Sequence, residues 1–164
     1  MIKMNSRNRL INALNHKEDK VPVDFSGTSV TGIHVSCVEQ LREYYGLEKK
    51  PIKVWEPYQL LGYVDSDLMD AMGIDVIGIS GKNNMFGIPN DNWKEWRLES
   101  GQTVLIAGGF NTTVDQDGNT YVYPEGDTSV APSGKLPKGG YYFDSIIRQP
   151  DIDEDALDPE DNLE

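Results

Sequence analysis

Apolar positions recur at helical spacing in three places. Leu10, Ile11 and Leu14 form a one-sided stripe over Asn5 to about His16, and Asn5 or Ser6 can cap its start. Cys37, Leu41, Tyr44 and Tyr45 follow i, i+4, i+7, i+8 and predict a helix over 34–45, closed by Gly46. Pro57 can open a third helix, in which Leu61, Val64, Leu68 and Met72 keep the period. Asp65-Ser66 offers a restart cap there, and Gly73 a stop.

Unbroken apolar runs predict buried strands at Val21–Phe25 and Asp75–Ile79. Pro22 suits the beginning of a strand. Residues 52–55 are ambiguous. From Asn92 the texture changes to short β-type runs at 93–98, 102–106, 111–114 and 120–123, with hairpin signals at Ser100-Gly101 and Asp117-Gly118. The stretch 124–140 is rich in Pro and Gly and reads as irregular. The pattern gives an α/β start followed by an antiparallel β meander. The organisation expected is 1–91 as the α/β portion, 92–147 as a β-rich insertion and 148–164 as an acidic flexible tail.

Composition narrows this picture. Hydrophobic residues make up 38% of the 164, enough for a core, and no apolar run approaches a membrane span. The net charge is −12. Much of the excess lies in 151–164, which holds Asp151, Asp153, Glu154, Asp155, Asp158, Glu160, Asp161 and Glu164 and no base. Such a chain repels phosphate backbones and anionic bilayers, so neither nucleic acid nor membrane is expected as a partner. With Cys37 as the only cysteine and no secretory signal at the N-terminus, a cytoplasmic setting is expected.

Few residues suggest chemistry. Gly27 and Gly32 are spaced like the ends of a phosphate loop, but Ile33-His34 follow in place of Lys-Ser or Lys-Thr. Asp115-Gln-Asp-Gly-Asn119 has Gly at the wrong position for a calcium loop and reads as a hairpin turn. His34 and Cys37 share a helix face and are the only metal candidates, against the simpler reading of a packed cysteine and a cleft-lining histidine. Asp24, Thr28, Ser29, Thr31 and His34 lie beyond the carboxyl end of the first predicted strand, where parallel α/β folds bind ligands. Turn chemistry and helix capping account for them equally well.

Several of these segments, taken in order, resemble one family. Asn5-Ser-Arg-Asn-Arg-Leu-Ile-Asn-Ala-Leu-Asn-His16, Asp19-Lys-Val-Pro-Val-Asp24 and Gly73-Ile-Asp-Val-Ile-Gly78 are similar to the N-terminus of the uroporphyrinogen decarboxylase superfamily, most closely its methyltransferase-like members. Gly108–Thr112, Tyr123–Gly126 and Pro137–Asp144 are similar to an insertion in uncharacterised members. The resemblance implies the N-terminal part of a (β/α)8 TIM barrel, with strands at 21–25 and 75–79 and the meander inserted after the second. It therefore implies a fragment of a larger parent, inactive alone, with exposed strand edges and apolar helix faces that self-associate or meet a companion chain.

For the intact parent, the resemblance implies a small-molecule substrate, zinc and a corrinoid (cobalamin) protein, with no cofactor in this chain itself. Decarboxylases of the family bind porphyrin-type carboxylates through arginines in the loop after the first strand, and place an Asp after the next. Here residues 26–36 contain no Arg or Lys, and Ile79-Ser-Gly-Lys82 contains no acid. Methyl transfer is thus the first expectation. Porphyrinogen decarboxylation and a non-catalytic interaction module are the alternatives.

Overall fold

The computed structural model describes residues 5–17 and 20–146; the expected acidic tail lies outside them. The first helix, α1 (Ser6–Leu14), starts where Asn5 accepts a hydrogen bond from the Asn8 N–H at 2.9 Å. Its apolar stripe is not a core face, since Leu10, Ile11 and Leu14 are all exposed. What holds α1 is polar: Arg9 forms a salt bridge with Asp75.

The second helix, α2 (Val35–Tyr44), begins one residue later than expected, with His34 as its cap. Its buried face is Val35, Val38 and Arg42, rotated from the predicted stripe. Cys37, Tyr44 and Tyr45 are exposed, and Leu41 is half-buried. Tyr44 and Tyr45 pack on each other edge to face at 5.1 Å, not on the core. Gly46, at φ 65°, ends the helix as expected.

No helix opens at Pro57. The Glu56 carboxylate accepts the N–H groups of Tyr58 and Gln59, which makes a turn instead. Leu60 and Gly62 then bond back to Val35 and Ile33. Leu61 and Val64 are buried, but from extended chain. The third helix, α3 (Ser66–Met72), starts only after Asp65 and stops at left-handed Gly73.

The ambiguous stretch after Pro51 is the hub of the first sheet. β1 (Ile52–Glu56) pairs antiparallel with β2 (Leu61–Gly62) and parallel with β4 (Thr103–Ile106), which pairs with β3 (Lys94–Arg97). The order is β2-β1-β4-β3. The second sheet is an antiparallel meander of β5 (Thr112–Val114), β6 (Thr120–Val122), β7 (Gly134–Leu136) and β8 (Asp144–Ser145). All four β runs predicted after Asn92 form. The last two strands fall in and just after the stretch expected to be irregular. The Asp115–Asn119 segment is a hairpin turn, its Asp115 carboxylate accepting from Asp117, Asn119 and Tyr121.

The two strands predicted at 21–25 and 75–79 are absent as ladder strands. The segments nevertheless lie side by side. Asp75 N–H donates to the Val23 carbonyl at 2.8 Å, and the Asp75 carboxylate accepts the Val23 N–H at 3.0 Å. Three residues on, Gly78 abuts the Gly27 carbonyl so closely that a Cβ there would sit 2.6 Å from it. Both contacts advance in the same chain direction, so the two run parallel. A side-chain carboxylate takes the donor that a ladder partner would use, and Pro22 supplies no donor at all. Val21, Phe25, Ile77 and Ile79 are exposed, whereas parallel strands normally need both faces covered.

The core runs across both sheets: Val35, Val38, Ile52, Val54, Leu68, Val104 and Ile106 continue into Phe110, Val122 and Phe143. Phe110 joins them through edge contacts to Trp96 and Phe143. The chain is therefore mixed α/β, with three helices and two four-stranded sheets and no closed barrel among the described residues.

Candidate functional site

A cavity of about 510 Å³ opens where three parts of the chain converge. One wall is the loop Ser26–Ser29, the second the end of β1 with its turn, and the third Ile77–Gly81 and Asn83–Met85 together with Asn90. The first and third walls are the carboxyl-terminal continuations of the parallel segments.

The loop is built by its own side chains. The Asp24 carboxylate accepts the Gly27 N–H at 2.8 Å, and Ser26 N–H donates to the Thr31 carbonyl at 2.9 Å. Thr31 Oγ1 accepts from the Thr28 N–H. Ser26 is held at φ 75°, a left-handed conformation rare outside glycine. Of the residues expected to line a cleft, Thr28 and Ser29 do so. Asp24 and Thr31 shape the turn and are not on its lining.

His34 is elsewhere. Its Nδ1 accepts the Ser36 N–H at 3.2 Å, capping α2, and its Nε2 lies 3.0 Å from the Tyr141 carbonyl. With Nδ1 accepting, Nε2 carries the hydrogen that Tyr141 takes. Burial pushes this imidazole below its ordinary value, which keeps it neutral as that pairing requires. It borders a separate hollow of about 440 Å³, beside Trp96 and Tyr141. Phe143 is in the core. Cys37 is exposed on α2, and among the described residues no three His, Cys, Asp or Glu side chains come together as a metal site.

Sequence reasoning missed Glu56. It is only 8% exposed and ends the alternation by which β1 buries Ile52, Val54 and Glu56. That alternation was the available signal: an acid on the inward phase of a strand. Tyr58 and Gln59 donate to its two oxygens at 3.2 and 2.8 Å. Burial pushes the carboxyl up, and those two N–H groups pull it partly back.

Asn84 accepts from the N–H groups of Phe86 and Ile88, and Asn90 donates to the Gly81 carbonyl, so the third wall is a closed loop. Two buried oxygens on the lining, Ser26 Oγ and Asn90 Oδ1, have no hydrogen-bond partner among the described residues. Chemically the cleft offers oxygen acceptors, aromatic rings from Trp55, Tyr58 and Tyr63, and one carboxyl. No Lys, Arg or His lines it among the described residues.

Among the described residues no helix is long and apolar enough to cross a membrane. Comparison with known proteins finds no matching family model, no matching curated protein and no matching solved structure.

Proposed function

We propose that this chain supplies one wall of a small-molecule cleft in an enzyme of the uroporphyrinogen decarboxylase superfamily, of the methyltransferase-like kind. On this reading, residues 21–25 and 75–79 are two neighbouring strands of a (β/α)8 barrel that the rest of the parent closes. One observation carries it: the two segments run parallel in contact, and the 510 Å³ cleft opens at their carboxyl ends, lined by Ser26–Ser29 after the first and by Ile77–Gly81 at the end of the second. Barrel enzymes bind substrate at that end of the strands.

The lining favours methyl transfer over decarboxylation of a porphyrinogen. A polycarboxylate needs cationic partners, and among the described residues the only acid or base on the lining, the tyrosines aside, is Glu56. The described residues offer no three-ligand zinc set, so in this proposal zinc and the corrinoid partner are held elsewhere in the intact parent.

The intact, zinc-loaded protein should move the methyl group of methylcobalamin to a thiol acceptor, followed by the change in corrinoid absorbance. Conversion of uroporphyrinogen without methyl transfer would replace this reading with decarboxylation. The third reading, a non-catalytic module that binds a companion chain, draws on the exposed Val21, Ile77 and Ile79. Neither reaction, together with copurification of a companion, would establish it.

A further inference from the structure

We propose that the cleft takes a small protonated amine, seated against Glu56 with its N–H groups toward Ser26 and Asn90. The inference rests on the reading of this cleft as a ligand site and adds the chemical class of the ligand.

Charge is the first argument. Glu56 is the only ionisable acid or base on the lining among the described residues, apart from the tyrosine hydroxyls, and it is more than nine-tenths buried. An ionised carboxyl in that position has two backbone donors but no cation beside it. Burying such a charge is costly unless it is paired. The two donors come from its own turn and fix its direction. Each carboxylate oxygen keeps a lone pair for a ligand.

Hydrogen-bond arithmetic is the second. Asn90 already spends its NH₂ on the Gly81 carbonyl, and its Oδ1 can only accept. Ser26 Oγ is likewise buried and without a partner among the described residues. Asn90 Oδ1 therefore calls for a donor, the Ser26 hydroxyl can take one, and an ammonium group has up to three donors and no acceptor. The rings of Trp55, Tyr58 and Tyr63 supply the remaining wall, a surface that attracts cations. At long range, the net charge of −12 draws cations and repels anions. A neutral polyol would satisfy the two oxygens but would leave Glu56 unpaired.

Three probes of one shape test this on the full chain at fixed ionic strength: benzylammonium, benzyl alcohol and benzoate. Titration calorimetry gives affinity, and backbone amide shifts of Ser26, Gly27 and Asn90 give the location. Benzylammonium should bind about tenfold or more tighter than benzyl alcohol, a difference of about 1.4 kcal/mol, with benzoate weakest. Glu56→Gln should abolish the preference for the amine over the alcohol. Should Glu56→Gln fail to fold, the wild-type ranking of the three probes decides alone. Tyr63→Leu, at an exposed ring, should weaken benzylammonium more than benzyl alcohol.

Equal or tighter binding of the alcohol or benzoate, mapped to these amides, would overturn the amine assignment while leaving a ligand cleft in place. If no probe shifts these amides, both the amine and the ligand cleft are overturned.

Discussion

At the residue scale, two arginines fasten the fold where apolar contact does not. Arg42 is buried, donates two 2.8 Å bonds to Asp67, and gives two more to the Glu48 carbonyl. This joins the end of α2 to the start of α3. Asp67 is 43% exposed, and an ion pair open to water on one side adds little net stability. The Arg42 stem, however, fills space. Arg42→Met, which keeps the apolar stem and leaves Asp67 open to water, should therefore fold within about 1 kcal/mol of wild type. Arg42→Ala, which also opens a cavity, should cost about 2–3 kcal/mol. Urea denaturation of both variants measures the difference; equal losses would show that charge pairing, not volume, is what counts.

Asp75 makes a prediction with pH. Its side chain is 1% exposed, and the bond from Arg9 holds its carboxyl down at about 2, against an ordinary 3.8. A carboxyl lowered by folding adds stability above its unfolded value and loses it as pH falls toward the folded one. Wild-type stability should thus drop between about pH 4 and pH 2. Asp75→Asn should be the less stable protein at pH 6, and the gap should narrow below about pH 4 and close only as pH falls through about 2. A gap that stays constant with pH would show that the Arg9 pairing does not set the titration. None of this was visible in the pattern: Asp75 sits before an apolar run like any strand-opening acid. Its use in place of a ladder bond depends on Val23, 52 residues away.

Among elements, local chemistry was legible and tertiary choice was not. The ends of α1 and α2 followed from Asn5 and Gly46, because caps act within a few residues. The β runs after Asn92 followed from turn signals. The helix at Pro57 failed because the chain turns left-handed at Leu60, at φ 54°, and Leu61 and Gly62 pair back onto β1. The face of α2 failed because its aromatic residues look like core by type, yet Val35 and Val38 are the side chains that meet Ile52 and Gly62. For the cleft, Thr28 and Ser29 were legible from their place after an apolar run. Glu56 required knowing that β1 is a strand at all.

His34 gives the element-scale prediction. Its ring serves α2 as an N-cap, a place where Ser, Thr, Asp or Asn normally accept the same N–H. Replacing it with Ala should cost about 1 kcal/mol of stability, and His34→Ser should recover a part of that. Benzylammonium affinity at the Glu56 cleft should not change in either variant, since His34 lines a different hollow. Equal destabilisation by Ala and Ser would mean that the Tyr141 contact, not the cap, is what the ring provides.

For the whole molecule, the apolar surface is unevenly distributed. The core that joins the two sheets is well buried, with Val35, Val38, Val104, Val122 and Phe143 fully inaccessible. In contrast, α1 and the parallel segments expose Leu14 at 73%, Val21 at 78% and Ile79 at 100%. These elements are tied to one another through Asp75, which pairs with Arg9 on α1 and with the Val23 backbone. The two parallel segments form no continuous ladder, and Val21, Ile77 and Ile79 stand exposed along them. Exposed apolar side chains on such an edge favour association. The net charge of −12 opposes it through mutual repulsion. Salt shortens the range of that repulsion to about 8 Å at 0.15 M and leaves apolar burial intact. Self-association should therefore rise with protein concentration and with ionic strength. Light scattering after size exclusion, at 0.02 and 0.5 M salt, measures it. The double substitution Ile77→Ser and Ile79→Ser, on side chains that contribute nothing to the core, should return the protein toward a monomer without lowering its melting temperature. A single monomeric mass at every concentration and both salt levels would show that this edge is stable in water as it stands.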